Sequence, residues 1–412
     1  MSRLSLVRNR LMLILAVMGP GIISASAGND AGGITTYTTV GASYGFQMLW
    51  MLVIIAFSLA IVQEMCARMG AVTGKGLSDL IREQFGVRWT AFAMLVLLIS
   101  NAMVTVSEFS GIAAAMELFG ISRYLAVPVA AVSVWFLVTR GSYARAEKVF
   151  IILALFQWSY VVAGVIVRPD WVAVGQSLAR PSFSMETGFV LLLIGAIGTT
   201  IAPWMQFYLQ SSVVDKGVTV KTYAAMRTDV RVGALMATIV EFFIIVVAGA
   251  TLFNAGISVE SPEDAAMALA PLAGDYARLL FSTGLLGASF LAACILPLST
   301  SYAVCEAFGL ERGIDRTMDE APAFYTLFAL LILFGAGVSL IPGTNLIGMM
   351  LFSQQVNGVL LPIVLIFMLL LVNDKRLMGT YVNTRVQNIL AWGTTVGLIA
   401  LTILMLLSPL LS

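Results

Sequence analysis

Histidine is missing from all 412 residues, and charge is scarce: Asp, Glu, Lys and Arg together make up 11%, against about 25% in soluble globular chains. Without histidine there is no Ser-His or Cys-His pair for nucleophilic catalysis. So few charges leave too little polar surface to keep a chain of this size in water. Cysteine is limited to Cys66, Cys294 and Cys305. They lie in or beside apolar segments without metal-ligand spacing and read as packing residues. No phosphate-cradling G-x-x-x-x-G-K-[ST] loop is present, which leaves "GSYARAEK" and "TGKG" as loop material and excludes a nucleotide partner. A net charge of +1 with no basic tract excludes nucleic acid as well. Nothing points to an enzyme or to a bound cofactor.

Apolar residues account for 59% of the chain, with a mean hydropathy of +0.96. Apolar runs long enough to cross about 30 Å of hydrocarbon recur along the whole length. The fold class expected is therefore an all-α polytopic membrane protein, with the lipid bilayer as its surroundings. The first residues, "MSRLSLVRNRLMLILAVMGPGIISASAG", have the basic start, apolar core and small-residue end of a signal peptide. The interruption "GPGII" and the uncharged continuation up to Asp30 argue against cleavage. Eleven spans are expected, near 11–43, 46–69, 90–117, 122–139, 147–167, 187–213, 228–254, 276–308, 322–341, 345–372 and 387–410. Short loops join them into a single domain, 1–412. With the N-terminus in the cytoplasm, 19 of the 23 Lys and Arg residues fall on cytoplasmic segments and 4 outside. The positive-inside rule thus predicts a multi-pass protein of the cell (inner) membrane with its C-terminus outside.

Two spans are interrupted. In "LMLILAVMGPGIISASAGNDAGGITTYTTVG", Gly19-Pro20-Gly21 weakens the first half, and Gly28, Gly32 and Gly33 crowd around Asn29-Asp30. Glycine costs about 1 kcal/mol in a helix interior and proline about 3. In "LLLIGAIGTTIAPWMQFYLQSS", Gly195 and Gly198 precede a mid-membrane Pro203. Non-helical backbone at this depth survives only where protein or a wet cavity surrounds it. Breaks in the first and sixth spans, five apart, predict two inverted five-helix repeats, about 11–167 and 187–372, with an added helix at about 387–410. Such a plan places a substrate site between the breaks.

Asp30 is the central residue. Freed carbonyls and one carboxylate at a helix break make an oxygen-rich cation site. Asp30 also suits an N-cap, but a cap alone is served by uncharged Ser or Asn, which favours the ligand reading. Asn29 reads equally as ligand or as structure. Gln354 and Gln355, in "FSQQVNGVLLP", either face the cavity or hydrogen-bond between helices, with Asn357 one turn from Gln354. Thr199 and Thr200 are open to the same helix-to-helix role. Glu108 is balanced between function and structure, and Glu241 leans to structure. Asp229, Arg231 and Glu64 read as solvated or gate-forming ion pairs. Trp204 and Met205 either shape the cavity or pack.

Three stretches, "GPGIISASAGNDAGG" with "GASYGFQMLW", "VQEMCARMGAVTGKGLSDLI" and "SEFSGIAAAMELFGI", together resemble the Nramp divalent-metal transporters, in span order along the whole chain. The resemblance implies a LeuT-like fold. The family's first-helix motif is Asp-Pro-Gly-Asn, which here reads Asp30-Ala31-Gly32-Gly33, so the Asn ligand falls on Gly33. Its sixth-helix motif, Met-Pro-His-Asn, falls on Ala202-Pro203-Trp204-Met205, or one residue away if "YLQSS" is the anchor. Gln354 matches a family glutamine, and the Thr199 carbonyl a family carbonyl ligand. Of the family's acid pair in the third helix, Glu108 matches the second, while the first falls on Thr105.

A thioether helps select manganese and iron over hard ions. Ala202 and Gly33 in place of Met and Asn imply a wider, all-oxygen site suited to Mg²⁺, which gives up water reluctantly. The pattern is similar to the Nramp-related magnesium transporters of prokaryotes. The expectation is uncoupled, voltage-assisted Mg²⁺ uptake with Mn²⁺ also accepted, by a protein functional as a monomer, the metal being substrate rather than cofactor. A proton-coupled Mn²⁺ or Fe²⁺ importer is the alternative, against which the lost thioether and histidine argue. An amino-acid carrier of the same plan is disfavoured, because Asp30 would repel a substrate carboxylate. A receptor role has no supporting soluble domain.

Overall fold

The computed structural model describes Gly19, Gly21, Ser24, Ala25 and residues 27–140, 155–314 and 316–411. The possible signal segment and the start of the fifth span lie outside the described residues. The architecture is helical, with no strand among the described residues: α1 Ala31–Tyr44, α2 Leu49–Thr73, α3 Leu77–Leu118, α4 Arg123–Thr139, α5 Ser159–Ile166, α6 Trp171–Ala179, α7 Thr187–Thr200, α8 Pro203–Asp215, α9 Tyr223–Ala248, α10 Ala277–Phe308, α11 Pro322–Ser339, α12 Leu346–Asn373 and α13 Arg385–Leu411. Short helical turns such as Pro262–Met267 and Lys375–Met378 lie in the connections.

Among the described residues, eight helical spans are long and apolar enough to cross a membrane, among them Thr187–Asp215 counted across its break. Arg123–Thr139 is apolar but shorter. The first span is described as a helix only beyond its break, and the fifth only from Leu155 onward. The charged stretch between the second and third spans differs from the loop expected of it. Gly74, at φ 67°, ends α2 in the left-handed conformation that glycine adopts without strain. Helix resumes at Leu77, buries Leu77, Leu80 and Ile81 on one face, and turns at Gly86 (φ 78°, ψ 174°) into the membrane part of α3. The charges of "LSDLIREQF" obscured an amphipathic period.

α3 is the central post, packing against α10, α11 and α12, while α9 packs on α1 and α2, and α7 on α12. Residues 31–42 of α1 are all buried, so the first break is enclosed by protein. α13 lies at the periphery and exposes Val386, Ile389, Val396, Ile403 and Leu406, a row of apolar side chains that hydrocarbon satisfies.

Candidate functional site

The first helix unwinds over residues 27–30 and restarts at Ala31 with Asp30 as its N-cap. The carboxylate of Asp30 accepts from the Gly33 N–H at 2.8 Å. Glu108, from the middle of α3, brings a second carboxyl to the same helix start, accepting from the Ala31 N–H at 3.4 Å through Oε2, while Oε1 has no partner. Both acids are buried, and their carboxyl groups interact with each other. Asn29 accepts through its backbone carbonyl from Gln157 Nε2 at 2.5 Å, and its buried Oδ1 is unpaired.

The second break lies at Ile201 and Ala202, between α7 and α8, with Pro203 as the first residue of α8. Pro203 has no N–H, so the carbonyl of Thr199 loses the donor that a continuous helix supplies four residues on. The Thr199 hydroxyl donates to the Gly28 carbonyl at 3.4 Å, joining the two breaks. A β-carbon on Gly33 would lie 2.5 Å from the Gly28 carbonyl oxygen, 3.1 Å from Thr199 Oγ1 and 3.5 Å from Asp30 Oδ1. The missing side chain of Gly33 thus lets oxygens from both breaks crowd against it, with no room for a β-carbon.

Gln354 of α12 completes the surround. Its side chain lies against the α-carbon of Gly32. Its Oε1 accepts from Asn357 Nδ2 at 3.1 Å, Asn357 Oδ1 accepts from the Ser100 hydroxyl, and Gln354 Nε2 is buried without a partner. Gln355 is only half-buried and lies near Gly195. Ala202 offers no free oxygen: its carbonyl already accepts from Gln206 Nε2 at 3.0 Å and from the Met205 N–H at 3.1 Å. What Ala202 contributes is the lack of a longer side chain. Met205 sends its methyl group to Gly28, where a β-carbon would stand 2.7 Å from it. Trp204 stacks at a tilt on Tyr208, with ring centroids 5.9 Å apart.

Sequence reasoning misjudged Asp229. It is fully buried and accepts from the Gly19 N–H at 3.0 Å and the Gly21 N–H at 2.7 Å, rather than pairing as a solvated ion. The signal was present in "GPG", whose N–H groups have no helical carbonyl to bond and must find an acceptor. Glu64 does form the expected ion pair, with Arg68 at 3.2 Å, and is joined by Tyr223 and Gln387. Among the described residues no three His, Cys, Asp or Glu side chains gather as a metal cage. The arrangement at the breaks is one of few charges and many neutral oxygens, suited to a cation in passage rather than a permanently held one.

The family model described as Nramp, natural resistance-associated macrophage protein-like, matches residues 21–408. The chain is 26% identical over 408 residues to the "Divalent metal cation transporter MntH" of Bacillus subtilis, covering 95% of this chain and 92% of that one. It is 28% identical over 393 residues to the protein of the same name from Erwinia tasmaniensis, covering 92% and 91%. The fold superposes on a manganese transporter from Eremococcus coleocola with a TM-score of 0.76 at 22% identity, covering 96% of this chain and 86% of that one. It also superposes on MhsT in complex with L-phenylalanine, with a TM-score of 0.58 at 15% identity, over 96% and 98% of the two chains.

Proposed function

The chain belongs to the Nramp family of membrane transporters, and from that premise we propose that it is an uncoupled, voltage-assisted Mg²⁺ uptake carrier that also accepts Mn²⁺. Its relatives' names speak for a divalent cation as substrate. The observation that carries the finer reading is the gathering of the Gly28 carbonyl, Thr199 Oγ1 and Asp30 against Gly33. These are all hard oxygen donors, the kind that Mg²⁺ takes. Asp30 supplies the negative charge, and the Thr199 carbonyl, freed by Pro203, supplies a neutral ligand. The amide of Gln354 meets water on the ion, Gly33 and Ala202 bring no longer side chain to the breaks, and Asn29, Glu108, Trp204 and Met205 border the path. The orientation proposed is N-terminus inside and C-terminus outside, from the uneven split of Lys and Arg.

A second reading, proton-coupled Mn²⁺ import, draws on one observation: Met205 reaches Gly28 and brings a thioether beside the break, a soft donor that manganese accepts. Flux into liposomes with an internal pH dye separates the two. Saturable Mg²⁺ entry without acidification is the expected result. Mn²⁺ entry with acidification, and none for Mg²⁺, would overturn the first reading in favour of the second. Met205→Ala is expected to leave Mg²⁺ flux within about twofold, since the substitution removes no oxygen ligand.

A further inference from the structure

Behind the second break lies another polar cluster that the transport reading does not use. Glu241, from the middle of α9, is 1% exposed. Its Oε1 accepts from the Thr200 hydroxyl at 3.2 Å, and its Oε2 has no partner. The Thr200 hydroxyl also lies against the hydroxyl of the fully buried Tyr37 on α1. Both hydroxyls reach the carbonyl of Ala196, Tyr37 Oη at 3.2 Å and Thr200 Oγ1 at 3.0 Å. Two carboxylate oxygens, two hydroxyls and one carbonyl thus converge from three helices.

We propose that Glu241, Thr200, Tyr37 and the Ala196 carbonyl form a second cation site, distinct from that at Asp30, holding one monovalent positive charge, a proton or Na⁺. A bare carboxylate met only by the hydroxyls of Thr200 and Tyr37 is strongly disfavoured at membrane depth, and among the described residues no basic side chain answers it. α7 carries no ionisable residue, α1 presents Tyr37, and α5 presents Tyr160, a neutral phenol near Thr38. On α2, Glu64 and Arg68 belong to the group around Tyr223, about 27 Å away along α9. Arg227 and Arg231 of α9 itself act on that same group and stand at least about 15 Å from Glu241 along the helix. With no basic group in reach among the described residues, the compensating charge is assigned to an ion. A divalent ion would leave a surplus charge in the bilayer, so the ion is monovalent. Thr199 and Thr200 are consecutive, so occupancy here sets the end of α7 that also borders the first site.

The test is thermal unfolding of the purified protein in detergent, free of divalent ions, across a Na⁺ series at constant ionic strength and across a pH series. It reads binding rather than transport, so its outcome is independent of the Mg²⁺ reading. A midpoint that rises by a few °C with Na⁺ in the wild type but not in Glu241→Gln identifies Na⁺. A rise with acid and none with Na⁺, again absent in Glu241→Gln, identifies the proton. Thr200→Ala and Tyr37→Phe keep the carboxylate and are expected to shift the midpoint of whichever response is seen by about tenfold in ion concentration. Responses that are absent from the wild type, or unchanged in all three variants, overturn the proposal.

Discussion

Asp30 does two things that a single substitution can part. Its carboxylate caps α1 through the Gly33 N–H, and its charge draws a cation. Asparagine caps a helix as well as aspartate does, so Asp30→Asn is expected to fold with a thermal midpoint near wild type and to lose divalent flux at least tenfold. Asp30→Ala loses the cap as well, at about 1 kcal/mol of stability. If Asp30→Asn transports normally, Asp30 is a cap and the cation site lies elsewhere. Gly33 is tested the same way. Gly33→Ala would place a methyl 2.5 Å from the Gly28 carbonyl oxygen, so the two breaks must move apart, and flux is expected to fall with some loss of thermal stability. The pairing of Asp30 with a glycine three residues on was plain in "NDAGG". The Thr199–Gly28 contact was not, because it joins residues 171 positions apart.

At the scale of the element, the two breaks work by removing helical hydrogen bonds. Pro203→Ala returns an N–H to α8 and offers the Thr199 carbonyl its usual partner. Mg²⁺ affinity, read from saturation of flux, is then expected to fall about fivefold, the worth of one net hydrogen bond of about 1 kcal/mol. Ahead of the first break, Gly19 and Gly21 are tied to α9 by Asp229, which accepts from their N–H groups. A β-carbon on Gly21 would stand 2.7 Å from the Val230 backbone, so the two elements pack closely. Asp229→Ala frees that attachment and, in the orientation proposed above, should open the site to the cytoplasmic side. All three native cysteines are buried, so a single cysteine placed beside the break reports this cleanly. Faster labelling from the inside in Asp229→Ala is expected, and an unchanged rate would show that Asp229 holds no gate.

For the whole molecule, the energetics follow from a doubly charged substrate crossing the membrane potential. Two charges moving into a negative interior gain about 4.6 kcal/mol per 100 mV, enough to concentrate the ion about a thousandfold. Flux in liposomes should therefore rise steeply with an imposed inside-negative potential and change little when the pH gradient is collapsed. Loss of flux on collapsing the pH gradient at constant potential would restore a coupled mechanism. The exposed apolar face of α13 and the lipid-facing side chains of α2 and α4, Ile54, Phe57, Leu125 and Val129 among them, set the molecule in the bilayer.

The chain's order along itself determined a great deal. Apolar length and the placing of Gly, Pro and Asp located the helices, both breaks and Asp30, because backbone without hydrogen-bond partners inside a bilayer must be marked locally by residues that cannot or need not continue a helix. The helix at Leu77, the buried bond of Asp229 to Gly19 and Gly21, the approach of Met205 to Gly28 and the cluster of Tyr37, Thr200 and Glu241 came only with the fold. Each depends on which face of a helix meets which neighbour across tens or hundreds of residues. Periodicity within one span states that a face is buried, and only packing states what it is buried against.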